Sequence, residues 1–222
     1  MEAIAKIIVV GNLKGGVGKS TLTSLYATYI HNVLKKKVIV IDADDLQHTI
    51  ETIRKVEIEA GADSEKLYPV LPSNSIDAPD WLEKLIYDFD FIFIDLPGNL
   101  KQEGVVKSIS MADIIIIPTS LSREDLDSTG KFLKILNEQI IPVRNSIGVN
   151  TDIYGILYKV RKRGKEYKEF IAEIEEMPIK FFNEVVPNSE VLKRQTSTYE
   201  NVDYASKSFE MKDMLEEFKN IL

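Results

Sequence analysis

The chain has 222 residues, an apolar fraction of 44%, a charged fraction of 28% and no cysteine. This length fits one domain, residues 1–222, and the absence of cysteine excludes disulfides, thiol nucleophiles and thiolate-held metal clusters. The net charge of −7 argues against a surface that is basic all over, so a nucleic-acid or anionic-lipid partner must bind one face. The chain shows neither a membrane-spanning run nor an export signal, and we expect a cytoplasmic protein.

Short β-branched apolar runs alternate with longer amphipathic stretches along the chain. Runs that are apolar on both faces are typical of strands covered by helices on both sides, so the alternation predicts an α/β fold with a doubly wound, mainly parallel sheet. We expect the segments 64–79 and 140–150 to be loops. The predicted strands are Ala5–Val10, Val38–Ile41, Phe91–Ile94, Ile114–Ile117, Ile153–Val160 and Phe181–Val186, and the predicted helices cover residues 19–36, 46–60, 77–88, 99–110, 122–139, 164–176 and 203–222.

The first strand runs into a glycine-rich turn, GNLKGGVGKST, followed by a helix. The glycines allow successive backbone N–H groups to point inward, and the helix N-terminus adds partial positive charge, so a phosphate chain is expected to bind there. Lys19 is expected to reach the β- and γ-phosphates, and the Ser20 hydroxyl to ligate Mg²⁺. The turn departs from the common pattern G-x-x-x-x-G-K-[ST] at Leu13 and adds a second lysine, Lys14. The predicted phosphate-binding set is Gly15, Gly16, Val17, Gly18, Lys19, Ser20 and Thr21.

Acidic residues follow the second strand. Asp42 and Asp44 lie two residues apart at its carboxyl end, where doubly wound sheets collect ligand groups. We expect this pair to support the magnesium shell and to orient or deprotonate the attacking water. The alternative is that one of these acids caps the next helix, and for Asp45 we prefer that interpretation.

The strand FIFID ends in Asp95 and is followed by Pro97 and Gly98. An acid after a buried strand in this setting is a Walker B type residue that holds Mg²⁺ through its water shell. Gly98 allows the loop backbone to approach the γ-phosphate and to move when that group leaves.

These residues resemble the ParA/MinD family of P-loop ATPases with a deviant Walker A motif. The family motif K-G-G-x-G-K-[ST] is similar to residues 14–20, its aspartate pair followed by glutamine to Asp42, Asp44 and Gln47, and its D-x-P to Asp95-Leu96-Pro97. The resemblance covers most of residues 6–187. Within the family, the chain most resembles the short ParA proteins that segregate plasmids or other mobile elements.

The resemblance implies a P-loop NTPase fold, ATP and Mg²⁺ as cofactors, and slow hydrolysis that a partner stimulates. It also implies an ATP-induced homodimer in which Lys14 of each subunit reaches the phosphates bound by the other. A ParB-like centromere-binding adaptor, non-specific DNA and association with a bacterial nucleoid are implied as well. Pro187 matches the family's base-flanking loop.

The chain departs from the family pattern at two positions. Asp45 and Leu46 stand before Gln47, where the family has proline and glutamine directly after the aspartate pair. Tyr158 stands where the family often has an asparagine that reads the adenine edge. The tyrosine either stacks on the base or lies outside the site.

A basic segment is a candidate contact with DNA. Residues 159–168, KVRKRGKEYK, hold six basic residues and one acid in an otherwise acidic protein. This density is expected of a contact with a nucleic-acid backbone, although a solvated loop and helix face is the alternative. The candidate DNA contacts are Lys159, Arg161, Lys162, Arg163, Lys165 and Lys168, with Lys193 and Arg194 as additions.

The C-terminal segment argues against a membrane partner. Residues 209–222 carry one apolar stripe, but the polar face is largely acidic, which anionic lipid does not favour. We therefore expect this helix to pack on the domain. A MinD-like membrane-positioning ATPase and a nucleotide-dependent protein adaptor without DNA binding remain as alternative functions.

Overall fold

A sheet of seven parallel strands forms the centre of the computed structural model, which describes residues 4–45, 47–163, 165–188, 197–205 and 209–222. The strands are Lys6–Val10 (β1), Val38–Asp42 (β2), Val70–Pro72 (β3), Phe91–Asp95 (β4), Ile114–Thr119 (β5), Asp152–Val160 (β6) and Lys180–Pro187 (β7). Their order across the sheet is β3-β2-β4-β1-β5-β6-β7, and each neighbouring pair is parallel. The predicted parallel, doubly wound architecture is confirmed.

Helices cover both faces of this sheet. The helices Lys19–Thr28 and Arg123–Ile135 continue into π-helical turns over Tyr29–Val33 and Leu136–Ile140. The helices are Lys19–Thr28 (α1), Thr49–Glu59 (α2), Ala78–Leu85 (α3), Val105–Ser110 (α4), Arg123–Ile135 (α5), Ile141–Ser146 (α6), Lys165–Glu175 (α7), Asn201–Ala205 (α8) and Phe209–Lys219 (α9).

The central strand β1 is buried on both faces. Ile8 and Val10 pack in one apolar cluster with α1, α8 and α9, whereas Ile7 and Val9 pack in a second cluster with α3, α4 and α5. Successive side chains of a strand point to opposite faces, so a run without polar residues feeds both cores. Each large aliphatic side chain that is fully buried in this way contributes roughly 1.5–3 kcal/mol.

The strand order places a crevice at the carboxyl end of β1. β1 lies between β4 and β5, and the chain leaves it first toward β2 on one side and later reaches β5 on the other. In doubly wound sheets, ligands bind at such a reversal, outside the carboxyl ends of the strands. The loops that follow β1, β2 and β4 meet at this edge.

Two segments that were expected to be loops contain regular structure, and these predictions were wrong. β3 is an edge strand that pairs with β2. It has three residues, which is too short to produce a detectable apolar run. α6 begins with Pro142 in its first turn, where proline fits a helix start. The predicted helix over 99–110 begins only at Val105, because Gly104 before it has a φ of 84°.

The C-terminal helix α9 packs on the domain, as expected. Its apolar residues Met211, Met214, Leu215 and Phe218 are buried, and Phe218 stacks on Tyr26 with ring centroids 3.9 Å apart. The predicted single helix over 203–222 is α8 and α9, and residues 206–208 between them lie outside the described part. In the part of the chain that the structure describes, no helix is long and apolar enough to cross a membrane.

A buried polar cluster ties α2 to the segment that precedes α8. Arg54 on α2 is 6% exposed, and its Nε donates to the Thr198 hydroxyl at 2.7 Å. The guanidinium also donates to the carbonyl oxygens of Tyr68 and Thr198, and its Nε lies 3.7 Å from the Glu57 carboxylate. Glu57 in turn accepts a hydrogen bond from the Thr198 amide at 2.8 Å. No local sequence pattern predicts this cluster, because Thr198 lies 144 positions from Arg54 and 141 positions from Glu57.

Candidate nucleotide-binding site

The glycine-rich turn joins β1 to α1 and leaves the first amides of the helix exposed to a ligand. Gly16 and Gly18 have φ values of 75° and 100°, in the left-handed region. Gly18 is the N-cap of α1, which has no side-chain cap and no acid in its first turn. The free N–H groups and the helix dipole therefore make an anion-binding position, as the sequence predicted for a phosphate.

Tyr158 lies directly against this turn. A Cβ added to Gly18 would lie 2.5 Å from the Tyr158 ring, so only glycine fits there. Tyr158 is 5% exposed, belongs to the core cluster of α1 and β1, and has its pKa raised by burial, against the effect of the Thr21 side chain. Of the two sequence interpretations, the structure supports a residue outside the base site, because the ring packs against the turn itself.

Lys19 lies between the glycine-rich turn and the loop that follows β4. Its Nζ donates to the Lys14 carbonyl oxygen at 3.3 Å, and a Cβ on Gly98 would lie 3.1 Å from that Nζ. Burial lowers the pKa of Lys19, and the charges of Asp95 and Asp44 act in the opposite direction. The structure thus brings Lys19, Gly98 and two of the predicted acids to one place.

Asp95 is a buried acid that lies near the Ser20 hydroxyl and Lys19. It is 0% exposed, and neither carboxylate oxygen has a hydrogen-bond partner within the described residues. Burial raises its pKa to about 7; the Ser20 hydroxyl and Lys19 oppose this shift, and the charges of Asp42 and Asp44 add to it. Since buried polar groups are otherwise hydrogen-bonded, an unpartnered buried carboxylate indicates a missing ligand.

Asp42 lies beside Asp95 and has a structural contact as well. The two residues are register partners at the ends of β2 and β4. Asp42 Oδ2 accepts a hydrogen bond from the Glu51 amide in the first turn of α2 at 2.9 Å, while Oδ1 has no partner within the described residues. His48 Nδ1 lies 4.0 Å from Oδ1. Burial raises the pKa of Asp42, and the Glu51 amide opposes that shift.

The expectation that Asp45 caps α2 was wrong, because Asp42 supplies that contact. Asp45 instead accepts hydrogen bonds from the Ser75 amide and from the Gln102 side chain. The sequence could not indicate this, because both donors lie in other loops. Asp44 stays at the phosphate end, where its charge acts on Lys19 and Asp95. Its carbonyl oxygen also accepts from the amides of Gln47 and His48 at 3.0 and 2.9 Å.

The donor set fits a magnesium ion that completes its shell with phosphate and water. The Ser20 hydroxyl and the unpartnered oxygens of Asp42 and Asp95 are the oxygen ligands that Mg²⁺ prefers. Among the described residues, no group of three or more His, Cys, Asp or Glu side chains forms a self-contained metal site. A cation at this place would thus depend on a bound phosphate group.

Lys14 turns toward α5 within its own chain. Its Nζ lies 2.6 Å from Asp125 Oδ1 and 3.0 Å from Glu124 Oε2, and these contacts raise the pKa of Lys14, Asp125 contributing more than Glu124. Both acids lie in the first turn of α5, whose N-cap is Ser122. The sequence analysis missed the two acids, although acids after a serine cap are a sign of a helix N-terminus.

Gly98 and Pro187 lie at the two loops expected to flank a nucleotide. A Cβ on Gly98 would lie 3.2 Å from the Leu13 carbonyl oxygen, so the loop after β4 contacts the glycine-rich turn. Pro187 ends β7 and pairs with Val160. Residues 189–196, with the candidate DNA contacts Lys193 and Arg194, lie outside the described part.

The basic segment at the end of β6 is only partly available to a partner. Lys162 is ion-paired with Glu184 at 2.7 Å, and Lys159 lies with its Nζ 5.1 Å from the centre of the Tyr158 ring. The side chain of Lys165 lies outside the described part. Exposed basic residues of this segment are Lys159, Arg161, Arg163 and Lys168.

Comparison with known proteins agrees with this geometry. A model of the CobQ/CobB/MinD/ParA nucleotide binding domain matches residues 8–202. Among solved structures, the chain is similar to a plasmid partition protein of Borrelia burgdorferi bound to AMPPNP, with a TM-score of 0.70, 19% identity, and coverage of 99% of this chain and 100% of the other.

Two further structures are similar over nearly the whole chain. The ATP complex of a McdA variant from Cyanothece has a TM-score of 0.70, 19% identity, and coverage of 98% and 97%. pNOB8 ParA bound to nonspecific DNA has a TM-score of 0.65, 19% identity, and coverage of 96% and 97%. No curated protein sequence matches the chain. The family match over most of the chain confirms the resemblance seen in the motifs, and the chain belongs to the CobQ/CobB/MinD/ParA nucleotide-binding domain family.

Proposed function

We propose that the chain is a ParA-like, Mg-ATP-dependent DNA-partitioning ATPase, a single domain over residues 1–222 that hydrolyses ATP to ADP and phosphate. The observation that carries this proposal is the pair of buried carboxylates, Asp42 and Asp95, at the phosphate end near Lys19 and the N-terminus of α1. Both oxygens of Asp95 and one oxygen of Asp42 have no hydrogen-bond partner within the described residues. Such a charge arrangement is costly without a ligand, and a magnesium-bound triphosphate supplies the missing charge and ligands.

The glycine-rich turn and Lys19 bind the phosphates. The backbone amides of the turn point to the β-phosphate, and the Lys19 ammonium neutralises the β- and γ-phosphates. Gly98 lets the loop after β4 approach the γ-phosphate, and Pro187 borders the base. The binding residues are Gly15, Gly16, Val17, Gly18, Lys19, Ser20, Thr21, Gly98 and Pro187.

The acids at the ends of β2 and β4 serve the metal and the water. The Ser20 hydroxyl would bind Mg²⁺, and Asp42 and Asp95 would hold the ion through its water shell. When bound, the ion stabilises the negative charge that develops on the phosphate oxygens. Asp44 orients the attacking water in line with the leaving group and accepts its proton.

Lys14 acts across a homodimer that forms in the ATP state. In the single chain its ammonium is bound to Glu124 and Asp125, so it must leave these acids to reach the phosphates of the other subunit. A cation delivered in this way stabilises the transferring phosphoryl group, as an arginine finger does. Hydrolysis then depends on assembly, and a ParB-like centromere-binding adaptor stimulates it.

Non-specific DNA is the proposed partner of the ATP-state dimer. The support is the exposed basic group of Lys159, Arg161, Arg163 and Lys168, together with the similarity to a ParA protein solved on nonspecific DNA. Lys162 and Lys165 belong to the same proposed contact, and Lys162 must exchange Glu184 for phosphate. Such a protein is cytoplasmic and associated with the bacterial nucleoid.

A nucleotide-dependent protein adaptor without DNA binding is the second candidate. The ion pair of Lys162 with Glu184 favours it, because the pair reduces the basic charge that DNA would meet. A MinD-like membrane-positioning function has less support, because the apolar residues of α9 are buried in the core.

Sedimentation of the purified protein with plasmid DNA, and separately with anionic liposomes, distinguishes these functions. Each mixture is prepared with ATP, with ADP or without nucleotide, and Lys19→Ala serves as the control that cannot bind nucleotide. We expect ATP-dependent sedimentation with DNA alone. Equal retention in all nucleotide states contradicts the partition function, and retention on liposomes supports the MinD-like alternative.

A further inference from the structure

Three loops at the phosphate end meet at Asp45. Asp45 Oδ1 accepts a hydrogen bond from the Ser75 amide at 2.8 Å, and Oδ2 accepts one from Gln102 Nε2 at 2.5 Å. Asp45 follows β2, Ser75 follows β3 and Gln102 follows β4. We call these three residues the loop junction.

Close backbone packing holds the junction in one arrangement. Gly104 has a φ of 84°, and a Cβ there would lie 1.9 Å from the Ser75 carbonyl oxygen. Ser75 itself is 0% exposed. The loop after β4 therefore contacts the loop after β3 through backbone as well as through Asp45. Hydrogen bonds to a charged carboxylate are also stronger than those to a neutral acceptor.

Two loops of the junction, those after β2 and β4, carry the residues proposed to serve the γ-phosphate. Asp44 directly precedes Asp45. The loop of residues 96–104 follows Asp95, contains Gln102 and also contains Gly98, which packs beside Lys19. A movement of either loop on phosphate binding or release is transmitted to the other through the Asp45 carboxylate. Without the hydrogen bond between Asp45 and Gln102, the loops after β2 and β4 would respond separately.

We propose that Asp45 is a positioning residue that makes the loops after β2 and β4 respond to the γ-phosphate as one unit. This inference rests on the proposed ATPase function and adds a means by which that site is regulated. Asp45 touches no reacting atom: it acts through Asp44 on one side and through Gln102 on the other. The position is one at which the chain departs from its family pattern.

The test compares a single variant that breaks the hydrogen bond between Asp45 and Gln102 with a double variant that reverses its direction and keeps the total charge. Gln102→Glu places a second carboxylate against Asp45 and breaks the link by repulsion. The double variant Asp45→Asn with Gln102→Glu restores it, because the new amide donates to the new carboxylate and still accepts from Ser75. Gln139→Glu, the same substitution on an exposed residue, is the matched control.

Hydrogen exchange with and without a non-hydrolysable ATP analogue reports on the coupling directly. In the wild type and in the control variant, we expect the analogue to slow exchange in residues 43–48 and 96–104 together. In Gln102→Glu only one of the two segments should respond, and the double variant should recover the joint response. A joint response in Gln102→Glu, or no recovery in the double variant, overturns the proposal.

Steady-state hydrolysis separates positioning from a purely structural role. Gln102→Glu should lower kcat about tenfold with KM for ATP within about twofold, since misplaced groups slow the chemical step while the glycine-rich turn still binds. The double variant should recover most of kcat. If the wild type hydrolyses ATP and Gln102→Glu has the same kcat, the role of Asp45 is overturned and the proposed ATPase function is not. Coupled exchange in a protein that never retains DNA overturns the partition function alone.

Discussion

Two buried charged clusters of this molecule differ in how their polar atoms are partnered. Around Arg54, the guanidinium meets the Glu57 carboxylate, the Thr198 hydroxyl and two carbonyl oxygens. At the phosphate end, both oxygens of Asp95 and one of Asp42 have no partner within the described residues. Burying a charge is costly unless hydrogen bonds and opposite charges compensate for it, so the cost of burial is offset in the first cluster and is not offset in the second. The difference supports the proposal that the second cluster binds a ligand.

Removal of Arg54 gives the largest expected effect. Arg54→Met leaves Glu57 without its cation and Thr198 without its donor, so the free energy of unfolding should fall by about 3–5 kcal/mol. Urea denaturation measures this. Arg123→Met is the control, because Arg123 is in an exposed ion pair with Glu173 at 3.3 Å and its loss should cost at most about 1 kcal/mol. Equal effects of the two substitutions would remove the basis of the comparison.

Removal of the Asp95 charge should raise the free energy of unfolding, whereas removal of Arg54 lowers it. The pKa of Asp95 is raised to about 7, above the value of about 3.9 in an unfolded chain, so the folded carboxyl keeps a proton that the unfolded chain releases. This group therefore lowers stability progressively as pH rises from about 4 to about 7, and the full penalty remains above pH 7. In the nucleotide-free protein, Asp95→Asn should gain about 2–4 kcal/mol at pH 8 and clearly less at pH 5.

The control for this prediction is Asp88→Asn, an exposed acid whose substitution should change stability little at either pH. Chemical denaturation at both pH values measures the difference. A loss of stability in Asp95→Asn at pH 8 would show that the Asp95 carboxylate is satisfied in the fold.

Asp42 belongs to both kinds of cluster, and its two oxygens can be tested separately. Asp42→Asn keeps an acceptor for the Glu51 amide, whereas Asp42→Ala removes it. Since both variants are neutral, their difference isolates the cap of α2, and the alanine variant should be less stable by about 1 kcal/mol. Thermal unfolding of the two nucleotide-free variants gives this difference. Equal stability would mean that the amide contact contributes nothing and that Asp42 serves only the ligand.

Lys14 gives the smallest expected effect on stability and a large one on catalysis. Its partner Glu124 is exposed and Asp125 is mostly buried, but the Lys14 ammonium is itself accessible to water, where ion pairs contribute little, so Lys14→Ala should lower the unfolding temperature only slightly. ATP binding should persist, whereas hydrolysis stimulated by the adaptor should be lost. Lys19→Ala, in contrast, should lose nucleotide binding. Equal loss of binding in both variants would contradict separate roles for the two lysines.

The phosphate end was predictable because its signals are local. A buried strand, a glycine-rich turn and a helix start follow one another within residues 6–20, and the acids directly follow the runs that end β2 and β4. Parallel strands bring their carboxyl ends to one edge, so the pattern alone placed Asp42 and Asp95 together. β3 escaped prediction because a three-residue edge strand leaves no periodic pattern.

The sequence by itself determined the sheet class, the phosphate-binding turn and the acids beside it, because short-range apolar periodicity and backbone geometry specify each of them. Only the tertiary structure decided which partner each polar side chain takes. Lys14 meets Glu124 across 110 positions, and Asp45 meets Gln102 across 57. Contacts of this kind depend on where the sheet order brings separate loops, and no local pattern in the chain encodes them.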